Sequence, residues 1–402
     1  MSAALTRSPR KGLLRPGLIA VGALLLLWLS VAISIAGAAR ELRPDFALRL
    51  WPGDGLAQAA LADRILLSRP TDPAAAAQAR GLAEAALARE PTSVRAVRIL
   101  ATLSPSPASM EARFAYARRL SRRDLLTNLW FIEAAVQRDD VPGALAQYDV
   151  ALRTSSRAPQ VLFPILNAAL AQQHLQMPIA SLLATGSADW VPDFVDFALA
   201  EGSQIGNLGR VVVRQPEILT RLQPARQARL IALLADQRQF DVGARLYGAL
   251  SGTGPASAGD LRLTIGGEWP PFDWLTASSG DHGVSQTADG LRAFSQNGSR
   301  ASVTRRLVRL PAGEYALRSS SALVSEEGTG EAVWSVACAR GQGAPLAILP
   351  IGDRPGSREM RTASLRVPAG CDWQWMTLEV SSALDGPRFE IDLFSIRIDP
   401  GR

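Results

Sequence analysis

Gly17 to Ala36 reads GLIAVGALLLLWLSVAISIA, twenty residues with no charge and no proline. As an α-helix rising about 1.5 Å per residue it is roughly 30 Å long, the hydrocarbon thickness of a bilayer. Its backbone groups would bond to one another and need no water in lipid. Arg7, Arg10, Lys11 and Arg15 precede it with no acid among them, whereas Arg40, Glu41, Arg43 and Asp45 follow it and nearly cancel. The positive-inside rule therefore predicts a cytoplasmic basic tail over 1–16, a transmembrane helix over 17–36 and export of everything after it. Two other readings stay open. Ala36-Gly37-Ala38 is an A-x-A-like cleavage site, although the apolar run exceeds the usual signal-peptide core of about 7–15 residues. A buried core helix is the other reading, against which the run is apolar on every face.

Composition narrows what the exported part can do. Hydrophobic residues at 47% and charged residues at 20% describe folded matter, with room in 402 residues for two or three domains. The net charge is +6, but four of those charges precede residue 16. No basic stripe with interleaved aromatics remains, so no nucleic-acid partner is expected. Lys11 is the only lysine, in an Arg- and Ala-rich composition that looks like a GC-rich bacterial genome. That removes a phosphate-binding P-loop and any exported Schiff-base lysine. His174 and His282 are the only histidines and lie far apart, and neither H-E-x-x-H nor G-x-S-x-G occurs. With two histidines and two cysteines, no metal site and no cofactor are expected. Carboxylate pairs for glycoside cleavage meet only in space, so sequence does not exclude them. Asp273, Asp281 and Asp289 read as turn residues, and His282 as a loop residue.

Residues 37–54 form a connector broken by Pro44 and Pro52. From 55 to 250 the text is helical, with apolar residues at three- and four-residue spacing, as in Leu56, Ala60, Leu61 and Ile65. Breaks fall at Pro70 to Pro73, Glu90 to Ser93, Ser104 to Pro107 and Ala158-Pro159, and Thr71 or Asp72 before Pro73 predicts a capped helix start. Trp190, Phe194 and Phe197 at helical spacing read as core. A period runs through the region. Leu87, Leu120 and Leu152 end similar helical segments at steps of 33 and 32 residues, and the pairs Ala144/Tyr148 and Gly243/Tyr247 stand 99 residues apart. This period, with AEAALAREPTSVRAVRIL over Ala83 to Leu100, resembles the tetratricopeptide repeat. The resemblance implies paired helices stacked into an all-α solenoid with a concave partner surface, a small residue letting two helices approach and an aromatic one turn later filling the gap between them.

SGTGPASAG over 251–259 reads as a linker. Beyond it, over 260–402, short alternating runs separated by Gly, Pro, Ser and Asp predict about eight strands in an all-β sandwich or jelly roll. These runs are LRLTI, RAFSQNG, RASVTRRLVRL, YALRSSSALV, AVWSVACAR, REMRTASLRV, WQWMTLEV and RFEIDLFSIRI. A change of phase between Leu393 and Phe394 predicts a bulge in the last. GGEWPPFDW, ADGLRAFSQNG, LVRLPAGEYALR and FEIDLFSIRI together resemble the galactose-binding-like jelly roll shared by many carbohydrate-binding modules. The resemblance implies a glycan ligand.

The cysteines, Cys338 and Cys371, are expected to form a disulfide in an oxidising compartment. Trp334, Val336 and Cys338 share one strand face, as expected for a bridge near the core. From Cys371 to Val380, alternation places Met376, Leu378 and Val380 on a core face and Trp373, Trp375, Thr377 and Glu379 on the other. Trp373 and Trp375 are the candidate ligand-binding residues, as a flat platform for the C–H faces of sugars. The alternative is that the rings pack over the cysteine bridge or lie under Trp334 and a loop.

The sequence therefore predicts a multidomain, single-pass inner-membrane protein with its bulk in the periplasm. Its expected role is a non-catalytic scaffold in envelope or exopolysaccharide assembly or export, holding envelope proteins through helical repeats and polysaccharide through the sandwich. A glycan-modifying enzyme and a purely structural envelope adaptor are the alternatives.

Overall fold

The computed structural model of the chain describes residues 14–185, 189–326, 329–341, 343–352 and 354–401. Most of the basic tail expected over 1–16, with Arg7, Arg10 and Lys11, lies outside them. Contacts divide the chain at Ala158–Pro159 into two compact units.

The first unit is helical. Helix α1 (Leu14–Ala39) contains the expected apolar stretch, and Ile19–Ala39 within it is long and apolar enough to cross a membrane. Leu24 to Trp28 are all more than 60% exposed, so among the described residues nothing covers this stretch of α1. Its last turns are covered: Ala36 packs with Ala47 of α2 (Pro44–Leu50) and Ala57 of α3 (Gly55–Ser68). Next come α4 (Pro73–Arg89), α5 (Val94–Thr102), α6 (Pro107–Leu120), α7 (Leu125–Gln137) and α8 (Val141–Thr154). Helix α3 lies against α4, α5 against α6 and α7 against α8. Alanines make this close packing possible: Ala59, Ala62, Ala79, Ala83, Ala86 and Ala96 are essentially inaccessible. The sequence punctuation is the cause of the boundaries. Asp54, Asp72, Ser93, Ser106, Asp124 and Asp140 each accept a backbone N–H at a helix start, and Pro73 and Pro107 follow two of them. Leu87, Leu120 and Leu152 fall at or near the ends of α4, α6 and α8, the second helix of each pair. The period of about 33 residues is thus the length of one helical hairpin. Across the pairs, buried Arg98 of α5 makes a two-pronged bond to Asp63 of α3 and lies 3.1 Å from Asp124 at the start of α7.

The second unit begins with α9 (Ala158–Ala169), α10 (Gln173–Thr185), α11 (Val191–Glu201) and α12 (Ile205–Arg214), followed by α13 (Pro224–Asp236) and α14 (Phe240–Ser251). Trp190 and Phe194 are buried around Phe163, as expected of core residues, with Phe197 at their edge.

The rest of this unit is an antiparallel β-sandwich. Its strands are β1 (Gly259–Asp260), β2 (Leu275–Thr276), β3 (His282–Thr287), β4 (Gly290–Ser295), β5 (Arg300–Val308), β6 (Gly313–Leu323), β7 (Gly330–Cys338), β8 (Ala347–Ile351), β9 (Glu359–Val367), β10 (Gln374–Ser382) and β11 (Phe389–Pro400). One sheet runs β3-β4-β11-β6-β9 with β1 also on β11; the other runs β2-β5-β10-β7-β8. Alternation decides which side chains enter: Leu317 and Leu365, Ile391, Ile396 and Ile398 from one sheet meet Trp334, Val336, Met376 and Leu378 from the other. Cys338 and Cys371 form a disulfide that ties the end of β7 to the approach to β10. The bulge expected near Phe394 is present: β11 slips by one residue against β6 between Leu393 and Ser395. Gly290 is required beside it, because a Cβ there would lie 1.9 Å from the Leu393 carbonyl oxygen. LRLTI is the one expected strand that does not form beyond its first hydrogen bond; Leu261 and Leu263 instead sit in the core as an irregular segment.

Candidate functional site

Two regions of the second unit bear on function, and they carry different chemistry. The first is the meeting of α14 with the sandwich. Alternation does put Trp373 and Trp375 on the side away from the core residues Met376 and Leu378. The two indoles nevertheless differ. Trp375 is half-buried, with the Arg305 guanidinium 4.7 Å from its ring centre. Trp373 is only 2% exposed, held between Phe240 of α14 and Phe272 of the segment before β2 at centroid distances of 5.9 and 5.7 Å. Its Nε1–H donates to Asp241 Oδ1 at 3.1 Å, and Arg340 pairs with the other oxygen of that carboxylate. The platform expected from two exposed rings is therefore half-covered, because the chain supplies its own apolar lid to Trp373. The ring faces the helix, through Phe240 and Asp241.

The GGEWPPFDW motif builds the other half of this contact. A cis bond joins Pro270 and Pro271. Phe272 is fully buried and stacks on Tyr247 of α14 at 5.4 Å. Gly243 admits it: a Cβ there would stand 3.1 Å from the Phe272 ring. The small-plus-aromatic pair Gly243/Tyr247 thus receives a ring from the sandwich domain. Asp273, expected as a turn residue, is the polar hub. One oxygen accepts the Tyr247 hydroxyl at 3.0 Å and the other accepts the Trp269 backbone N–H at 3.1 Å. Asp281 does behave as a turn residue, accepting from Asn297, whereas His282, expected in a loop, opens β3 opposite Ser295 and bonds Ser279 and Ser299.

Burial and the Asp273 carboxylate both push the Tyr247 phenol above its ordinary value of 10.0. A raised folded-state value favours the neutral phenol in the folded chain. The stabilisation is whole below about pH 10 and is lost as pH rises through the folded value. Chemical denaturation between pH 9 and 11 should therefore show stability falling in the wild type more steeply than in Tyr247→Phe. Equal slopes would remove Tyr247 from this linkage.

The second region lies on the outer face of the six-stranded sheet. Along β6, Ala316, Ser320 and Ala322 face outward between the larger side chains of β11 and β9. Where these strands meet, a groove of about 770 Å³ opens, lined by Asp260, Arg318, Met360, Ser395, Arg397 and Asp399. The Asp399 carboxylate takes Arg397 Nε at 2.6 Å and lies 3.4 Å from Arg318, while Arg397 lies 3.7 Å from Asp260. Both guanidinium groups stay about half exposed, and Met360 is 64% exposed. Such a site presents fixed donors and acceptors side by side next to one exposed apolar side chain, Met360. A hydroxyl, which donates and accepts at once, is matched by that pattern. Farther along the same face, the bulge turns Phe394 outward under Arg358, ring centre to Cζ 4.3 Å, and Phe294 lies under Arg388 at 3.9 Å. Of these residues the sequence singled out only Phe394, and that for the bulge, since the pairing of Arg318, Arg397 and Asp399 exists only through strand register. The alternation of arginine and aspartate along FSIRIDP was the one local signal.

No family model matches the sequence, and no curated protein matches it. Among solved structures, TmCBM61 in complex with β-1,4-galactotriose is similar at 13% identity, covering 32% of this chain and 88% of that one with a TM-score of 0.24. CsCBM6-3 from Clostridium stercorarium, in complex with cellobiose, is similar at 11% identity over 37% of this chain and 98% of that one, with a TM-score of 0.23. A xylan-binding CBM 22 domain is similar at 14% identity over 32% and 88%, with a TM-score of 0.23.

Proposed function

We propose that the chain is a membrane-anchored, non-catalytic envelope protein whose sandwich binds glycan along the outer groove of the six-stranded sheet. The observation that carries this reading is the Arg318–Asp399–Arg397 array beside exposed Met360, an open surface matched to hydroxyl-rich chains. Export is supported by the apolar helix α1 and by the disulfide, a bond of oxidising compartments. The helical hairpins of the first unit, read as tetratricopeptide-like repeats, would hold a protein partner while the sandwich holds polysaccharide during envelope or exopolysaccharide assembly.

Affinity electrophoresis of the detergent-solubilised full chain through gels containing bacterial envelope polysaccharides tests the reading. Retardation is expected for the wild type. Losing charge-assisted hydrogen bonds of about 1.5–3 kcal/mol each, Arg318→Ala with Arg397→Ala should weaken it by roughly tenfold or more. A folded double variant that migrates like the wild type would remove the groove from the reading. Trp375→Ala separates the half-buried indole from the groove: retention unchanged in that variant leaves the groove as the binding surface.

A further inference from the structure

The turn and short helix immediately after α1 carry large apolar side chains that the fold does not use. Leu42 is 81% exposed, Phe46 39% and Trp51 37%. Arg43 and Arg49 are exposed in the same segment. The opposite side of α2 is fixed. Pro44 and Ala47 are buried, and Ala47 packs on Ala36 and Ala57. Arg64 of α3 donates to the Leu42 carbonyl at 2.6 Å, and Arg40 bonds Asp54, the capping residue of α3. The segment is therefore a rigid shelf, with apolar and cationic groups outward and small residues inward. Glu41 is drawn off by Arg95 at 2.9 Å, and Asp45 lies 3.7 Å from Arg64 and 3.8 Å from Arg49. Leu42 stands three residues beyond the end of the span at Ala39.

We propose that this shelf, Leu42 to Trp51, is a membrane-surface site that seats the first unit on an anionic bilayer. Leu42, Phe46 and Trp51 enter the boundary between headgroups and acyl chains, where amphipathic aromatic rings partition, and Arg43 and Arg49 meet lipid phosphates. The occupant follows from continuity: a span that leaves the bilayer at Ala39 delivers the next residues to its surface. The inference rests on the anchoring reading of α1. Its consequence is a helical unit held at fixed height and tilt, because Ala36, Ala47 and Ala57 lock the shelf to α3.

The test uses the full chain in nanodiscs containing phosphatidylglycerol, with single spin labels at L42C, F46C, L26C and L384C. The native cysteines are engaged with each other and do not take the label. Collision with oxygen and with a water-soluble nickel chelate reports depth. Leu26 lies in the span and Leu384, 74% exposed in the sandwich, is the aqueous reference. Labels at 42 and 46 are expected between these two, and to shift toward the aqueous value when Arg43→Gln and Arg49→Gln are combined or the lipid is made zwitterionic. Labels at 42 and 46 that match position 384 overturn the proposal, and so do labels shielded from both reagents, which mark a protein occupant. An aqueous result at position 26 is a different failure, that of the anchoring reading.

Discussion

Trp373→Ala is expected to destabilise the second unit by about 3–5 kcal/mol, the range for removing a large buried aromatic side chain. The ring is 2% exposed and its loss leaves Phe240 and Phe272 facing a void, with Asp241 deprived of the indole N–H. Cavity and lost hydrogen bond act together, so Trp373→Phe, which keeps most of the volume, should recover more than half of the loss. Chemical denaturation followed by tryptophan fluorescence measures both. The same variant should speed proteolysis between α14 and β1, where Gly252 to Ala258 cross from helix to sandwich. An alanine variant as stable as the wild type would mean that α14 and the sandwich do not rely on this ring.

The second large effect is expected from Cys338→Ser with Cys371→Ser. The bridge closes a loop of 33 residues, and the chain-entropy account assigns about 3–4 kcal/mol to a loop of that size. Its position adds a local consequence. Cys371 precedes Trp373 by two residues, and Gln374 bonds back to the Cys371 carbonyl oxygen and to both backbone groups of Leu310. Opening the bridge loosens the strand entry that aims Trp373 at α14. The double serine variant should therefore lose stability and show a more exposed tryptophan emission before global unfolding. Reduction of the wild type should reproduce both effects. Loss of stability with unchanged emission would confine the bridge to an entropic role.

Much of the helical region was legible because its boundaries are written locally. Asp72 before Pro73 and Ser106 before Pro107 are helix starts by their own chemistry, whatever surrounds them. The repeated Leu87, Leu120 and Leu152 marked the second helix of each pair for the same reason. In the sandwich, period-two alternation identified β5, β6, β7, β9, β10 and β11, and the phase slip at Phe394 disclosed the bulge. Strand β3 was missed because HGVSQT buries fully only Gly283, which has no side chain, and leaves Val284 half-buried, so it carries little apolar pattern. The faces of Trp373 and Trp375 were right and the exposure of Trp373 was not. Alternation reports which side of a sheet a residue is on; it is silent about what a distant segment lays over that side. Phe240, 133 residues earlier, decided the matter. The groove was illegible for a related reason, since Arg318 and Arg397 meet only when β6 pairs with β11 in one register.

Helix α14 fastens to the layer that contains β10, whereas the groove is carved into the layer that contains β11, with the apolar filling of the sandwich between them. The sandwich thus behaves as a bracket, bolted on one side and bare on the other. Whatever lodges on the bare side can be gained, lost or altered by substitution there without undoing the bolts.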